Sequence, residues 1–283
     1  MPIQDGQRLF WTAKDVSATL PARDDGGHKG TFGTALLLAS TRDMPGAALM
    51  AGLGAMRSGV GKLEIGTDPE VINGVVSALP ESIYLREGLR KVGAGEVELE
   101  RYRAIAAGPG VHPDDVTEKA VQALLASPCP LVLDAGALSM RSYPKRHAPI
   151  ILTPHPLEFS RITGIGKEDL AENRVFHAVS FAKKWGVAIV LKGNHTIIAF
   201  PDGDVRINPT GNAALSKGGT GDTLAGMILG MLCCHDNWRH AVLNAVYLHG
   251  ACADKWVETR SAHTMLAHEI TSLLPEVWKS FEH

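Results

Sequence analysis

The sequence predicts an α/β fold: a mainly parallel central sheet covered by helices on both faces, with an antiparallel hairpin at one edge. Short apolar runs without polar interruption alternate with helical patterns, as expected for strands that helices bury on both sides. The pattern changes after Leu191, where two short apolar segments flank a glycine-containing turn. We therefore expect β-α-β units first and a hairpin after them.

Six continuous apolar runs are the predicted parallel strands. They span residues 35–39, 63–65, 104–107, 131–133, 150–152 and 188–191. Helical patterns between them cover residues near 45–58, 115–126, 157–163 and 172–185. Ligands of open α/β sheets bind outside the carboxyl ends of the strands, so functional residues are expected directly after these runs.

The chain after Leu191 is predicted to form the hairpin and then helices. The hairpin pairs residues 196–200 with 205–208 around a Pro-Asp-Gly-Asp turn. The predicted helices cover residues 223–234, residues 239–256 and a last segment that begins near Ser261 or Thr264 and stops before Pro275. Proline ends the last helix in this prediction because it removes a hydrogen bond and clashes with the preceding turn.

Composition and organisation exclude several classes of protein. The chain has 283 residues, 45% of them hydrophobic, and no linker, so residues 1–283 are predicted to form a single domain with residues 1–27 as a docking arm. Lys plus Arg number 28 and Asp plus Glu 30, so no overall field attracts nucleic acid or membrane. The chain shows no signal-peptide pattern and no run of 18 apolar residues. Four cysteines without a CxxC pair are typical of reduced thiols, and we expect a soluble cytoplasmic protein.

A glycine-rich segment leads into the helix predicted before residue 234. It contains Gly218, Gly219, Thr220 and Gly221, and the apolar residues that follow recur at helical spacing. A helix N-terminus presents unpaired N–H groups and a partial positive charge, and glycines let a phosphate approach them. These four residues are the predicted anion hole for a nucleotide phosphate.

Asp222 follows the anion hole directly. A carboxylate beside a phosphate repels it, so we predict another purpose: accepting the proton of a substrate hydroxyl that attacks phosphorus. Capping of the helix is the alternative role. A Walker A motif is absent, because Gly61-Lys62 and Gly166-Lys167 lack the following Ser or Thr, and residues 108–110 lack the third glycine of a dinucleotide fingerprint.

Three loops after predicted strands carry further candidates. Residues 192–196 (Lys-Gly-Asn-His-Thr) suit a nucleotide, although an ordinary turn with a solvated lysine is the alternative. Two prolines stiffen the loop that holds His155 and Glu158, and Glu158 could equally serve a helix N-terminus. Asp134 could bind Mg²⁺ or a ribose hydroxyl, or simply occupy a turn. No structural metal is expected, because no Cys or carboxylate clusters with the C-terminal histidines His249, His263 and His268.

Together these motifs resemble the nucleotide-dependent NAD(P)H-hydrate dehydratases, a family with the ribokinase-like fold. Seven segments occur in the family's order from about Trp11 to the C-terminus. They are HKGTFG at 28–33, MPGAALMAGLGAMRSGVGKL at 44–63, GPG at 108–110, DAGAL at 134–138, LTPHPLEF at 152–159, LKGNHT at 191–196 and NPTGNAALSKGGTGDTLAG at 208–226.

The resemblance implies repair of damaged nicotinamide cofactors. The S epimer of NADHX or NADPHX, hydrated on the ring, would be dehydrated to NADH or NADPH, with ADP or ATP as co-substrate and Mg²⁺ as cofactor. The hydroxyl would lose its proton toward Asp222 and take the terminal phosphoryl group. Phosphate would then leave as the ring double bond re-forms, and with ADP the other product would be AMP.

The resemblance also assigns site residues by their motif positions. The adenine nucleotide is assigned to Lys192, Gly193, Asn194, His195, Thr196 and Gly221. The hydrate is assigned to Ala47, Gly110, His155 and Asp222. Glu158, from the proline-stiffened loop, is a further candidate ligand of Mg²⁺ or phosphate. The sequence departs from the family pattern at Leu157 (usually Gly), Gly136 (frequently Asp) and Ser216-Lys217 (a small residue and Thr).

The resemblance leaves assembly and two other functions to consider. Relatives of this type commonly form tetramers, so a homo-oligomer is expected. Because Trp11 lies near the start, we expect the epimerase that interconverts the hydrates to be a separate protein. The alternative functions are a kinase of a small hydroxylated metabolite, such as a thiazole or hydroxymethylpyrimidine, and a catalytically silent nucleotide-binding module.

Overall fold

The computed structural model of the chain describes residues 9–23 and 26–282. Within them, nine strands form one sheet in the order β3-β2-β1-β4-β5-β6-β7-β8-β9. The strands are β1 Thr34–Leu38, β2 Lys62–Thr67, β3 Ile83–Arg86, β4 Ala104–Ala107, β5 Leu131–Leu133, β6 Ile150–Leu152, β7 Ala188–Leu191, β8 Ile197–Ala199 and β9 Val205–Ile207. Strands β1 to β7 pair in parallel, whereas β8 and β9 are antiparallel.

Helices cover both faces of this sheet. They are α1 Ala13–Thr19, α2 Gly46–Arg57, α3 Pro69–Val76, α4 Gly88–Gly93, α5 Asp115–Ala126, α6 Pro156–Thr163, α7 Lys167–Glu172, α8 Arg174–Trp185, α9 Thr220–Cys234, α10 Trp238–Val257 and α11 Ala267–Lys279. Leu37 of β1 belongs to the apolar cluster on one face, whereas Leu36 and Leu38 belong to the cluster on the other. Burial on both faces explains the continuous apolar runs, and the predicted fold class is confirmed.

Helices α2 and α9 pack backbone to backbone and run in the same direction. A Cβ on Gly226 would lie 1.9 Å from the carbonyl oxygen of Ala51, so only glycine permits this approach. Near the helix starts Met50 lies against Gly219, and farther along Ala55 lies against Gly230. Both helices therefore begin at the same end of the sheet, at its carboxyl edge, where the predicted functional residues lie.

The last helix differs from the prediction at both ends, because α11 begins at Ala267 rather than near residues 261 or 264 and passes through Pro275. The Glu269 carboxylate accepts the backbone N–H just before the helix at 2.7 Å and fixes its start. Pro275 is exposed, whereas Leu274 and Val277 are buried. Burying two such side chains contributes roughly 3–6 kcal/mol and offsets the cost of about 3 kcal/mol for proline inside a helix.

The prediction was also incomplete elsewhere. The pattern over residues 172–185 is one helix in the prediction but belongs to α7 and α8, which meet at Asn173. Strand β3 and helices α3 and α4 were not predicted. The burial of β3 is incomplete because it forms an edge of the sheet, so its sequence lacks a continuous apolar run.

The N-terminal segment contacts the sheet edge and α10. Phe10 forms a parallel bridge with Ile207, and the indole N–H of Trp11 donates to the Oδ1 of Asn244 at 3.0 Å. Residues 1–8, 24 and 25 of the predicted docking arm lie outside the described residues. In the described part of the chain, no helix combines the length and apolar character required to span a membrane.

Candidate functional site

The loops after β1 and β4 meet where the sheet order reverses direction. The chain runs from β1 outward to β2 and β3, then returns to β4 on the other side, which makes this point a topological switch. The N–H of Thr41 donates to the carbonyl oxygen of Gly110 at 2.8 Å and joins the two loops. Gly110 has a φ of +64°, and a Cβ there would lie 2.5 Å from the Cβ of Ala47. The structure thus brings together two residues assigned to the hydrate.

The glycine-rich segment forms the start of α9, three residues before the predicted boundary at Thr223. Gly219 occupies the N-cap position with a φ of +91°, a conformation that favours glycine. The Thr220 hydroxyl donates to the carbonyl oxygens of Leu215 and Lys217 at 2.8 and 2.9 Å. These bonds use the backbone of Lys217, so the departure from the family at this position leaves them intact.

Asp222 lies in the first turn of α9, beyond the N-cap position that Gly219 occupies. The alternative of a capping aspartate is therefore wrong. Burial raises the pKa of Asp222 to about 6, and the negative charges of Asp134 and Glu158 act in the same direction while Lys192 opposes them. A carboxyl with a raised pKa is a stronger base when ionised, which suits proton abstraction near neutral pH.

Lys192 is held by carboxylates rather than solvated. Its Nζ lies 2.8 Å from the Oδ1 of Asp134 and 3.9 Å from the Oε2 of Glu158. Burial lowers the pKa of Lys192, but the nearby acids outweigh it and the pKa ends above its usual value. A Cβ on Gly221 would lie 3.2 Å from this Nζ, so a permanent cation stands beside the start of α9. The alternative of an ordinary turn with a solvated lysine is wrong.

Asp134 begins a 3₁₀ turn over residues 135–137, as the alternative reading expected, but its side chain does not cap that turn and is only 2% exposed. Its Oδ1 accepts hydrogen bonds from both Lys192 and the hydroxyl of Thr153, each at 2.8 Å. Three carboxylates, including Asp222, thus act on a single lysine. The excess of negative charge requires a cation when a phosphate enters this region.

His155 occupies the N-cap of α6 and forms a reciprocal capping box with Glu158. Its Nδ1 accepts the N–H groups of Leu157 and Glu158 at 3.2 and 3.3 Å, so in the neutral ring the proton is on Nε2. The Oε2 of Glu158 accepts the N–H of His155 at 2.8 Å. Glu158 therefore serves the helix N-terminus and also faces Lys192.

Two cavities flank His155, which lines both. The larger measures about 680 Å³ and the smaller about 380 Å³. All residues assigned to the nucleotide line the larger cavity: Lys192, Gly193, Asn194, His195, Thr196 and Gly221. The smaller cavity is lined by side chains that include Met44, Leu157 and Arg161. Ala47, Gly110 and Asp222 are not among the lining residues of either cavity.

The other two departures from the family pattern lie at the smaller cavity. Leu157 is 55% exposed and adds an apolar wall. A Cβ on Gly136 would lie 2.1 Å from the carbonyl oxygen of Val111, so this backbone has no room for a side chain there. The loops after β4 and β5 consequently approach each other more closely than an aspartate would allow.

Two charged residues that the sequence analysis missed support the larger cavity. Arg174 of α8 donates through Nη1 to the carbonyl oxygen of Asn194 at 2.9 Å. Asp254 of α10 accepts the N–H of Gly211 and the amide of Asn212, both at 2.9 Å. Neither belongs to a local motif, and only the fold brings them to these loops.

Among the described residues, no group of three or more His, Cys, Asp or Glu side chains is arranged to hold a metal ion by itself. A metal at this site would need ligands from phosphate or water in addition to the protein. Mg²⁺ in nucleotide sites is bound in this way, by one or two carboxylates together with phosphate oxygens.

Comparisons with known proteins agree with this geometry. The ADP-dependent (S)-NAD(P)H-hydrate dehydratase of Bacillus subtilis is 60% identical over 273 residues, which cover 96% of this chain and 99% of that protein. A crystal structure of the B. subtilis enzyme co-crystallised with ATP and Mg²⁺ matches with a TM-score of 0.94 over 97% of this chain and 99% of that one.

More distant relatives match nearly the whole chain as well. A bifunctional NAD(P)H-hydrate repair enzyme of Moorella thermoacetica is 33% identical, over 99% of this chain and 55% of that protein. A ribokinase-like superfamily protein of Enterococcus faecalis is 25% identical with a TM-score of 0.85, over 97% of this chain and 96% of that one. The sequence model of the NAD(P)H-hydrate dehydratase family matches residues 35–276. The chain therefore belongs to the NAD(P)H-hydrate dehydratase family and has its ribokinase-like fold.

Proposed function

We propose that this protein dehydrates the S epimer of NADHX or NADPHX to NADH or NADPH and consumes ADP or ATP. The observation that carries the proposal is the first turn of α9, where unshielded glycine backbone adjoins Asp222, a base with a pKa raised to about 6. The family membership of the chain and the B. subtilis relative support the same reaction. A binding module would gain nothing from a carboxylate next to phosphate.

The nucleotide would occupy the larger cavity, with its terminal phosphates at residues 218–221. Unpaired N–H groups at the helix start would stabilise charge on the transferring phosphoryl group, and Lys192 would add a fixed positive charge. The hydrate would bind on the other side, near Ala47, Gly110 and His155. In this arrangement Asp222 would lie on the side of the hydrate hydroxyl.

The reaction would proceed in two stages. The hydroxyl proton moves to Asp222 while its oxygen bonds to the terminal phosphorus, and the bond between that phosphorus and the nucleotide breaks, leaving AMP when ADP is used. The C–O bond to the new phosphate then breaks, the neighbouring ring carbon loses a proton, and the ring double bond re-forms. Phosphate leaves readily where hydroxide would not.

The donor chemistry fits Mg²⁺ shared with the nucleotide. Asp134 is committed to Lys192 and Thr153, whereas Glu158 faces Lys192 at the longer distance of 3.9 Å. Of the two Mg²⁺ candidates from the sequence, Asp134 and Glu158, the protein ligand would therefore be Glu158, with phosphate oxygens and water completing the shell. When bound, the ion would neutralise charge on the phosphoryl group during transfer.

A direct assay tests the proposal. Chemically hydrated NADH is incubated with the protein, Mg²⁺ and either ADP or ATP, and the 340 nm absorbance of the reduced ring is followed. We expect absorbance to return only when nucleotide is present. A stable phosphorylated product without reduced ring would instead identify a kinase.

We further propose that the protein is a single-domain cytoplasmic homotetramer that works with a separate NAD(P)HX epimerase. The bifunctional relative supports a link to a second repair activity. Ile83, 53% exposed on the edge strand β3, is one apolar side chain that subunit contact could cover. Light scattering coupled to size-exclusion chromatography measures the assembly, and a monomeric mass would contradict this part of the proposal.

A further inference from the structure

His249 of α10 lies directly behind the start of α9. It is 7% exposed, lines the larger cavity, and its Nε2 lies 2.9 Å from the carbonyl oxygen of Thr220. A carbonyl only accepts hydrogen bonds, so Nε2 carries the proton and donates. The bond fixes the imidazole tautomer and joins α10 to the first turn of α9.

The imidazole is a neutral donor. Burial lowers the pKa of His249 to about 4, and the positive charge of Lys192 acts in the same direction while the Thr220 carbonyl opposes both. His249 therefore adds no second cation beside Lys192. What His249 contributes here is one directed hydrogen bond, from its Nε2 to the carbonyl oxygen of Thr220.

The bonded carbonyl shares a peptide group with the N–H of Gly221. In a trans peptide the C=O and N–H point in opposite directions, so holding the Thr220 carbonyl toward α10 directs the Gly221 N–H away from it. Gly221 is the second residue of the helix, where an N–H has no partner within the helix. A bond to the carbonyl also polarises the peptide and strengthens the N–H as a donor.

The glycines make such a clamp necessary. Gly218 and Gly219 admit a phosphate, but they also leave the backbone free to turn. Donors stabilise a transferring phosphoryl group best when they are already oriented before the reaction. We propose that His249 is a positioning residue, which holds the Thr220–Gly221 peptide group so that the Gly221 N–H points at the transferring phosphoryl group. This inference rests on the proposed function.

Two substitutions test it. H249F keeps an aromatic ring but lacks the N–H donor. H249Q retains an N–H donor, in its side-chain amide, at a similar distance from the backbone. We expect H249F to lower kcat about tenfold, with the KM of the hydrate changed less than twofold, since one donor removed outright costs about 10² to 10³. H249Q should restore kcat to within about threefold of the wild type, because it can rebuild the bond. H240F, on the same helix but near the C-terminal end of α9 rather than its start, is the control and should keep its kcat.

The readouts separate positioning from a structural role. Thermal unfolding of each variant measures folding, and steady-state kinetics with saturating nucleotide separate kcat from KM. Equal losses in H249F and H249Q, or a lowered melting temperature with normal kcat, would overturn the inference. Absence of turnover in the wild type would instead contradict the proposed function. In that case His249 is tested by calorimetry, which compares the affinity of H249F for Mg²⁺-ATP with the affinities of the wild type and H249Q. An affinity equal in wild type, H249F and H249Q would then reject the clamp.

Discussion

The two cavities beside His155 are built in different ways. The larger is lined by two glycine-containing loops, the start of α9 and part of α10, with side chains such as Lys192 and His249 among its glycines, and the smaller by side chains that include Met44, Leu157 and Arg161. Backbone N–H groups recognise phosphate whatever nucleotide carries it, so the larger cavity suits groups that ADP and ATP share. Side chains such as those that line the smaller cavity can instead fit the shape of one particular substrate ring. Under the proposed function, the difference teaches that a general anion site and a specific substrate site can meet at a single histidine.

Charge is concentrated where the two cavities approach each other, because Lys192 lines the larger and Glu158 the smaller. Lys192, Asp134 and Glu158 form ion pairs there, and Asp222 lies within reach of their charges. In the proposed function, the cation would act on phosphates that enter from the larger cavity, and Asp222 would act on a hydroxyl that enters from the side of the smaller one.

The sharpest test of this division is D222N. We expect kcat to fall at least about a hundredfold, the lower end for loss of a general base, with nucleotide affinity retained. Calorimetry with ADP and ATP measures the affinity. D115N removes a carboxylate from the first turn of α5 and should keep full activity.

D222N also has a stability signature. Burial raises the pKa of Asp222, so the ionised carboxylate destabilises the fold at pH values above about 6 and has no such effect below its ordinary pKa. The variant should therefore melt at the same temperature as the wild type near pH 4 and at a higher temperature near pH 8. Near-normal kinetics in a folded variant would remove Asp222 from the catalytic role.

K192A tests the cation at the larger cavity. Loss of a charge-assisted contact of about 1.5–3 kcal/mol should weaken ADP and ATP binding roughly tenfold to a hundredfold. The hydrate should be affected less, since its cavity is not lined by Lys192. K145A, at an exposed lysine, is the control. Unchanged affinity for both nucleotides would show that the phosphates bind elsewhere.

D134N tests the charge network through pH. Asp222 must be ionised to accept a proton, so kcat/KM should fall as the pH drops below about 6. Asp134 raises the pKa of Asp222, and its neutralisation should move this acidic limb to lower pH. Profiles of kcat/KM between roughly pH 5 and 8 measure the shift. A limb that stays in place or moves upward would contradict the coupling.

L157G has the smallest expected effect and tests the smaller cavity. Loss of an apolar wall worth about 1 kcal/mol should raise the KM of the hydrate up to roughly fivefold, with the KM of the nucleotide unchanged. L157A removes the same apolar wall without the backbone flexibility that glycine adds to α6, so it should raise the KM of the hydrate by a similar factor. A change confined to the KM of the nucleotide would show that Leu157 contacts the nucleotide rather than the hydrate, and would contradict this assignment of the two cavities.

The sequence could predict what depends on local pattern. The strands buried on both faces, the hairpin and the glycine start of α9 were all visible as runs or motifs. The site residues Lys192 and Asp222 were visible too, because a polar residue after a strand or a carboxylate after glycines stands out. The network they form was not, since residues 134, 158 and 222 come together only through the order of strands.

Residues that act from a distance in sequence were the hardest to predict. Arg174, Asp254 and His249 lie on helices whose patterns predict only amphipathic packing. Ala47 came from the family resemblance alone, and its contact with Gly110 depends on two loops meeting at the switch point. The prediction for α11 was wrong at Pro275 because it considered the free-energy cost of proline in a helix but not the burial of Leu274 and Val277.

The most direct test of the central claim is a crystal structure of the protein with ADP and Mg²⁺. We predict that the terminal phosphate accepts hydrogen bonds from backbone N–H groups of residues 218–221 and lies beside Lys192. Phosphates bound instead in the separate cavity of about 540 Å³ lined by Arg42 and Arg90 would contradict the account.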